Sequence, residues 1–227
     1  SRAIFFDLDG TLTDSGPGII NCAQLALAHF GIQVPDRDQL RVFVGPPLRQ
    51  SFARFGVPRV PGRGHCPFPG PVCPIRKIWK NTTPLIPASF AGLLDRLQGA
   101  GYRLFVATSK PQVTAQEVLE HFQLARYFER VCGASLEQAG TKEDVISYLL
   151  AQIGDPGQVV DGGGRPPLYV LGAKVHGIPT IGVTWGYGQA ESMREAGAAA
   201  LADTPEQLEA LLHTPGVFSP APPQALP

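Results

Sequence analysis

Hydrophobic and polar positions along the chain fall into blocks that predict strands separated by helices. The first block, Ala3-Ile4-Phe5-Phe6, is a continuous apolar run of the kind found in strands buried on both faces. Further strands are predicted over 102–107, 180–183 and 199–202, with helical periodicity between them. Strands that alternate with helices predict an α/β fold with a doubly wound parallel sheet, the Rossmann-like arrangement.

Capping residues set the expected helix starts. Ser15 is a favourable N-cap for a helix over 17–30, and Pro111 suits the first position of the helix that follows the second predicted strand. The remaining core helices are predicted over 90–97, 141–153, 171–176, 190–196 and 205–212.

Several helical patterns follow the first strand before the second one arrives, which predicts a small helical insert. One helix begins at Asp36 or Asp38, and another follows Pro47 and runs toward Phe55. The tail is rich in Pro and Ala and is expected to be disordered. The predicted organisation is an α/β core over 1–14 and 85–213, a helical insert over 15–84 and a tail over 214–227.

Composition narrows the class of protein. Of the 227 residues 44% are hydrophobic, which is enough for a sizeable core, and the formal net charge is zero. Zero net charge gives no overall attraction to nucleic acid or to an anionic membrane, so we expect neither as a partner. The expected assembly is a monomer or a homodimer. Four cysteines without CxxC spacing indicate free thiols in a reducing compartment, so the expected location is cytoplasmic.

Two carboxylates, Asp7 and Asp9, come directly after the first strand and are followed by Gly10 and Thr11. The carboxyl end of a buried strand is the usual place for chemistry in an open α/β sheet. Two acids this close repel each other, so a bound cation is expected, and Mg²⁺ is the natural one for oxygen ligands. A plain polar turn is the alternative, because Asp-Gly is a common turn pair. The longer Asp-x-Asp-Gly-Thr string favours catalysis.

The string from Asp7 to Thr11 resembles the first motif of the haloacid-dehalogenase-like phosphohydrolases. Its continuation to Ser15 is similar to the phosphoglycolate-phosphatase branch of that family. Three further stretches occur in the family's order: Val-Ala-Thr-Ser-Lys-Pro over 106–111, Thr-Lys-Glu-Asp-Val-Ile over 141–146, and Leu-Gly-Ala-Lys over 171–174 running on to Gly-Tyr-Gly over 186–188. The resemblance implies a Rossmann-like core with an inserted helical cap.

The resemblance also implies the chemistry of the two acids, which agrees with what phosphate esters require. Such esters are anionic and inert, so an enzyme must neutralise charge and place a nucleophile in line. Asp7 is the expected nucleophile and forms an aspartyl-phosphate. Asp9 is expected to protonate the leaving alcohol and later to deprotonate water. Mg²⁺ would be held by the Asp7 carboxylate, the Asp9 main-chain carbonyl and one further acid.

Four other side chains are candidates for contact with the phosphate. Thr108 and Ser109 follow the second predicted strand and could offer a hydroxyl and backbone N–H groups at a helix start, although such residues are also ordinary helix caps. Lys142 would place a positive charge beside Asp7; taken alone, it would be a solvated lysine. Lys110 is a second candidate for that task, or else helps to hold the substrate.

Two loops complete the predicted substrate site. Gly10 and Thr11 are expected to shape the loop around the phosphate. Gly45 and Pro46 match a cap loop that faces the substrate in the family, although a Gly-Pro pair is also simply a turn.

Residues 58–76 do not fit this picture, because six prolines leave no helical period where the cap should continue. From Gln39 to Leu94 the sequence contains no Asp or Glu, and its arginines and lysines could form a positive funnel for anionic substrates. Our preferred hypothesis is a shifted reading frame over this segment.

The second departure lies at the expected metal side. Where the family has two acids four residues apart, an ungapped alignment places Arg165 and Tyr169, and Asp161 is the nearest carboxylate. Asp161 could serve as the third acid, the site could be impaired, or the frame could again be shifted, which is the hypothesis we favour. An intact mass of 24.2 kDa, the value for this sequence, would contradict a shifted frame.

The sequence therefore predicts a Mg²⁺-dependent phosphatase that hydrolyses a small phosphorylated metabolite, with 2-phosphoglycolate as the first substrate to test. One alternative is a 5′-nucleotidase-type phosphatase. The other is a catalytically impaired binding module with the same fold, suggested by the altered acidic motif.

Overall fold

Six parallel strands form a single sheet at the centre of the described structure. The computed structural model describes residues 3–44, 46, 48–57, 89–134, 142–162 and 168–214. The strands are β1 (Ala3–Phe6), β2 (Arg103–Pro111), β3 (Arg130–Ala134), β4 (Gln158–Asp161), β5 (Thr180–Val183) and β6 (Ala200–Ala202). Their order in the sheet is β3-β2-β1-β4-β5-β6, which is the doubly wound parallel arrangement expected from the sequence.

Helices cover both faces of the sheet. They are α1 (Gly16–His29), α2 (Leu48–Arg54), α3 (Ser89–Gly99), α4 (Gln112–His121), α5 (Lys142–Ile153), α6 (Leu168–Val175), α7 (Ala190–Ala196) and α8 (Pro205–His213), with 3₁₀ turns over Arg37–Phe43 and Ala125–Tyr127. In the part of the chain that the structure describes, no helix combines the length and apolar character needed to span a bilayer.

Side chains of β1 point alternately to the two faces of the sheet, and because all of them are apolar, helices must cover both faces. Ile4 and Phe6 pack into one buried cluster with α3, α4 and α8, whereas Ala3 and Phe5 pack into another with α5 and α6. All four residues are at most 1% exposed. An unbroken apolar run is thus the pattern that a central parallel strand requires.

The helices between β1 and β2 have an apolar cluster of their own. It is built from Ile19, Leu27, Leu40, Phe43 and Phe52, which belong to α1, the first 3₁₀ turn and α2. The cluster is separate from the two that flank the sheet. This arrangement suits the predicted helical insert, whose boundaries at 15 and 84 stay a prediction.

Several elements differ from the sequence expectations, among them the following three. The segment that begins at Asp36 is a 3₁₀ turn, and Asp36 caps it by accepting a hydrogen bond from the Asp38 N–H at 3.0 Å. β2 runs on to Pro111, which therefore lies at the N-cap of α4 instead of its first turn. β3 was not predicted at all, because Arg130-Val131-Cys132-Gly133-Ala134 has no apolar run and lies at an edge of the sheet.

Several expectations concern residues outside the described ranges. These are the loop residue Gly45, the proline-rich segment within 58–88, the altered stretch at 163–167 and the tail from 215 onward.

Candidate active site

Asp7 and Asp161 lie side by side at the carboxyl edge of the sheet. Asp7 follows β1 and Asp161 ends β4; Phe6 pairs with Val160, and the Asp7 N–H donates to the Val160 carbonyl at 3.0 Å. This register places the two acids on neighbouring strands, which are spaced about 4.8 Å apart. Both side chains are buried, with 3% of Asp7 and none of Asp161 exposed. The structure therefore brings together two of the three predicted metal-side residues.

Two buried acids at adjacent positions call for a positive charge, and their oxygen donors suit Mg²⁺ chemically. Within the described residues, no group of three or more His, Cys, Asp and Glu side chains is arranged to hold a metal ion. The predicted ligand set does not need such a group, because Asp9 was expected to contribute its main-chain carbonyl. Two carboxylates and one carbonyl are oxygen donors of the kind that Mg²⁺ prefers.

The carboxylate of Asp9 is held by two neighbours. Its Oδ2 lies 3.1 Å from the Nζ of Lys110, and its Oδ1 accepts a hydrogen bond from the Ser15 hydroxyl. The Lys110 side chain is only 5% exposed and that of Asp9 17% exposed, so water screens this ion pair far less than a surface pair. The Asp9 side chain is therefore fixed in direction, as proton transfer to a defined atom requires.

The loop after β1 is a tight turn anchored to the end of β4. The Gly10 N–H donates to the Thr13 carbonyl at 2.8 Å, and Leu12 and Thr13 donate to the Leu8 carbonyl at 2.9 and 3.0 Å. The hydroxyl of Thr11 accepts a hydrogen bond from the Gly162 N–H at 2.7 Å. Thr11 is fully buried, so its hydroxyl secures the loop.

Thr108 and Ser109 do not lie at a helix start, contrary to the sequence expectation. They belong to the irregular end of β2, where the pairing with β3 shifts between Ala107 and Pro111, and α4 begins only at Gln112. Thr108 is 1% exposed, and its hydroxyl accepts the Lys110 N–H at 3.1 Å. The expected helix-terminus phosphate site is therefore absent from these two residues, which lie instead at the carboxyl end of the strand beside β1.

The other predicted residues are described only in part. Lys142 is the first residue of α5, and its side chain lies outside the described set. Pro46 is half-buried near the start of α2.

Two residues were missed by the sequence reasoning. Ser15 stands at the N-cap of α1, as predicted, but it makes no cap hydrogen bond because its hydroxyl is directed to Asp9. Tyr187 entered the sequence reasoning only as part of a family motif, yet its hydroxyl donates to Asp14 and accepts the Gly16 N–H at 2.7 Å. A hydroxyl residue six positions after Asp9 was the one signal that could have identified Ser15.

Comparison with known proteins places the chain in a family. The model of the haloacid dehalogenase-like hydrolases matches residues 4–159. A protein of Mycobacterium tuberculosis named tyrosine-protein kinase PtkA is 38% identical over 195 residues, which are 84% of this chain and 64% of that protein. The chain thus spans less than two thirds of the length of this relative.

Other similar proteins are matched along most of their length. A 5′-nucleotidase of Pseudomonas aeruginosa is 37% identical, over 84% of this chain and 86% of the relative. A phosphoglycolate phosphatase of Cupriavidus necator is 30% identical, over 96% of both. The crystal structure of a predicted phosphatase from Clostridium acetobutylicum superposes with a TM-score of 0.77 at 34% identity, over 93% of this chain and 97% of that one. The chain belongs to the haloacid dehalogenase-like hydrolase family.

Proposed function

We propose that the protein is a Mg²⁺-dependent phosphatase that hydrolyses a small phosphate monoester through an aspartyl-phosphate on Asp7. The observation that carries this proposal is the adjacent placement of Asp7 and Asp161 at one edge of the sheet, with Asp9 two residues after Asp7. Family membership and the similarity to phosphatases support hydrolysis of phosphoric monoesters as the reaction class.

In the first half of the reaction, an Asp7 carboxylate oxygen attacks phosphorus in line with the ester bond. A phosphorus–oxygen bond to Asp7 forms and the bond to the ester oxygen breaks. Asp9 donates a proton to the departing alkoxide, so the product leaves as a neutral alcohol. The fixed direction of the Asp9 carboxylate, set by Ser15 and Lys110, supports this role.

In the second half, Asp9 acts as a base. It takes a proton from a water molecule, the water oxygen bonds to phosphorus, and the bond to Asp7 breaks to release inorganic phosphate. Thr108, at the end of the neighbouring strand, is proposed to donate its hydroxyl to a phosphate oxygen. Lys142, at the start of α5, is proposed to place its charge beside Asp7, and the loop of Gly10 and Thr11 to enclose the phosphate.

The residues proposed to hold Mg²⁺ are Asp7, Asp9 through its carbonyl, and Asp161. When bound, the ion would neutralise charge on the phosphate and on the two buried acids. The Asp161→Asn variant keeps the side-chain shape but removes one negative charge. We expect it to raise the Mg²⁺ concentration for half-maximal activity by about 10- to 100-fold, and EDTA to abolish the wild-type activity.

The binding of Mg²⁺ also has a readout without turnover. Because a ligand of the native state stabilises it, Mg²⁺ should raise the melting temperature of the wild type and raise that of Asp161→Asn much less. Asp38→Asn is the matched control, since Asp38 is exposed and pairs with Arg41. Equal Mg²⁺ responses in Asp161→Asn and Asp38→Asn would contradict the assignment of Asp161.

For the substrate, we propose a phosphoglycolate-like metabolite. The resemblance of the first motif to that branch, extending from Asp7 to Ser15, and the similarity to the phosphoglycolate phosphatase of Cupriavidus necator support this choice. A nucleoside monophosphate is the second candidate, favoured by the higher identity to the 5′-nucleotidase of Pseudomonas aeruginosa.

A substrate panel separates these candidates. Phosphate release with Mg²⁺ is measured for 2-phosphoglycolate, nucleoside 5′-monophosphates and p-nitrophenyl phosphate, and transfer from ATP to a tyrosine peptide is included because of the kinase relative. We expect the highest kcat/KM for 2-phosphoglycolate. A nucleotide preferred by about tenfold or more, a free-energy difference of about 1.4 kcal/mol, would establish the nucleotidase. Folded protein without Mg²⁺-dependent turnover on any substrate would contradict the phosphatase and favour the binding module.

A further inference from the structure

The segment that follows β5 contacts both the end of β4 and the loop between Asp7 and α1, residues 8–15, which we call the Asp9 loop. Trp185 donates its indole N–H to the Thr11 carbonyl at 3.1 Å, and the Gly188 N–H donates to the Gly162 carbonyl at 2.9 Å. Tyr187 lies between these two anchors. The catalytic steps proposed above do not use Tyr187, although Tyr187 contacts Gly10 near the start of the Asp9 loop, Asp14 near its end and Gly16 directly after it.

The ring of Tyr187 is pressed against Gly10. A methyl group on Gly10 would lie 2.6 Å from the Cδ2 of the ring, and Gly10 has a positive φ of 79°. Glycine is the residue that tolerates both this close approach and this backbone conformation. The ring therefore fixes the backbone immediately after Asp9.

The hydroxyl of Tyr187 reaches the other end of the loop. It accepts a hydrogen bond from the Gly16 N–H at 2.7 Å and donates to the Asp14 carboxylate. Burial raises the pKa of this hydroxyl, and the bond to Asp14 raises it further, so the group keeps its proton at neutral pH. Gly16 begins α1, so the hydroxyl is bonded where the chain leaves the sheet for the helical insert.

From these contacts we infer that Tyr187 is a positioning residue: it ties the entry into α1 to the Asp9 loop and so holds Asp9 in place for proton transfer. The link to Asp9 is short. Ser15, which donates to Asp9, lies between the two residues that bond the Tyr187 hydroxyl, Asp14 and Gly16. A shift of this segment would carry the Ser15 hydroxyl away from Asp9. This inference rests on the proposed function.

The test uses leaving groups of different basicity. An alkoxide needs a proton from Asp9 as the ester bond breaks, whereas p-nitrophenolate leaves without one. The value of kcat/KM reports steps up to that bond cleavage. For Tyr187→Phe, which keeps the ring and removes the hydroxyl, we expect about a tenfold loss of kcat/KM on the fastest alkyl ester of the panel and less than about twofold on p-nitrophenyl phosphate.

Tyr102→Phe is the matched control. The Tyr102 hydroxyl donates one part-buried hydrogen bond, to the Leu212 carbonyl in α8 at 2.8 Å, and in the described part of the chain it makes no hydrogen bond to Asp7, Asp9 or Asp161. We expect its two kcat/KM values to equal those of the wild type. Amide exchange at Gly16 gives a second readout, because Tyr187→Phe should accelerate it and Tyr102→Phe should not.

The outcomes separate this inference from the proposed function. Equal losses on both esters, or values for Tyr187→Phe that match those of Tyr102→Phe, would overturn the positioning role while the phosphatase stands. A wild type without Mg²⁺-dependent turnover, or with turnover that survives Asp7→Asn, would overturn the proposed function and this inference with it.

Discussion

Replacement of Asp7 by Asn is expected to lower kcat by about 10⁴-fold or more on every substrate of the panel. An amide oxygen is a far weaker nucleophile than a carboxylate, so the aspartyl-phosphate cannot form at a useful rate. A large loss should be seen with every leaving group, because each ester must first transfer its phosphoryl group to Asp7. Steady-state kinetics with purified protein would measure it.

The same variant should keep its fold. Asp7 Oδ1 accepts the Leu8 N–H at 2.7 Å, and the amide oxygen of Asn can accept the same bond. Removing one of two adjacent buried carboxylates also relieves repulsion with Asp161. We therefore expect an unchanged or higher melting temperature without metal. Asp38→Asn again serves as the control, and activity within about tenfold of wild type in Asp7→Asn would contradict the nucleophile assignment.

The Gly162→Ala variant is expected to lose about 3 kcal/mol of folding free energy and most of its activity. A methyl group there would lie 1.9 Å from the Gly10 carbonyl oxygen and 3.1 Å from the Thr11 hydroxyl. The first of these is a backbone atom, so no side-chain rotation relieves the clash. The Asp9 loop must separate from the end of β4, and Thr11 would lose the Gly162 N–H.

Urea unfolding would measure the stability change as a lower midpoint at an unchanged slope. Gly99→Ala is the control, since Gly99 ends α3 and a methyl group there would meet nothing within 4 Å. Its stability should change by less than about 0.5 kcal/mol. Equal midpoints for Gly162→Ala and Gly99→Ala would show that the loop does not depend on this contact.

The central strand and its acids could be predicted because the sequence signals there are local. A parallel strand buried on both faces needs a continuous apolar run, and β1 has one that ends directly at Asp7. Asp161 is proposed on a different ground, as the carboxylate nearest to the expected acidic motif of the family, and the structure places it at the end of β4. Local patterns suffice where burial is the same on both faces.

Pairing and side-chain direction could not be read from the sequence, because they depend on distant residues. Residues of β3 form a strand because their backbone pairs with β2, and their own composition does not predict a strand. β2 continues through Thr108 and Ser109 because Pro111 of β2 pairs with Ala134 of β3. The local sequence, which resembles a helix start, does not reveal this pairing. Ser15 has the sequence pattern of a helix cap, but its hydroxyl donates its hydrogen bond to the charged Asp9 carboxylate instead.

The sheet order has a consequence for synthesis of the chain. Ile4 pairs with Leu104 on one side and with Gln158 on the other. During synthesis, β1 therefore has no strand to pair with until roughly 100 and 150 further residues have been made. Until β4 emerges from the ribosome, an unfinished chain cannot assemble the edge at which Asp7 meets Asp161. Polypeptides released before that point would expose an apolar strand without any capacity for catalysis, and would be ready targets for chaperones.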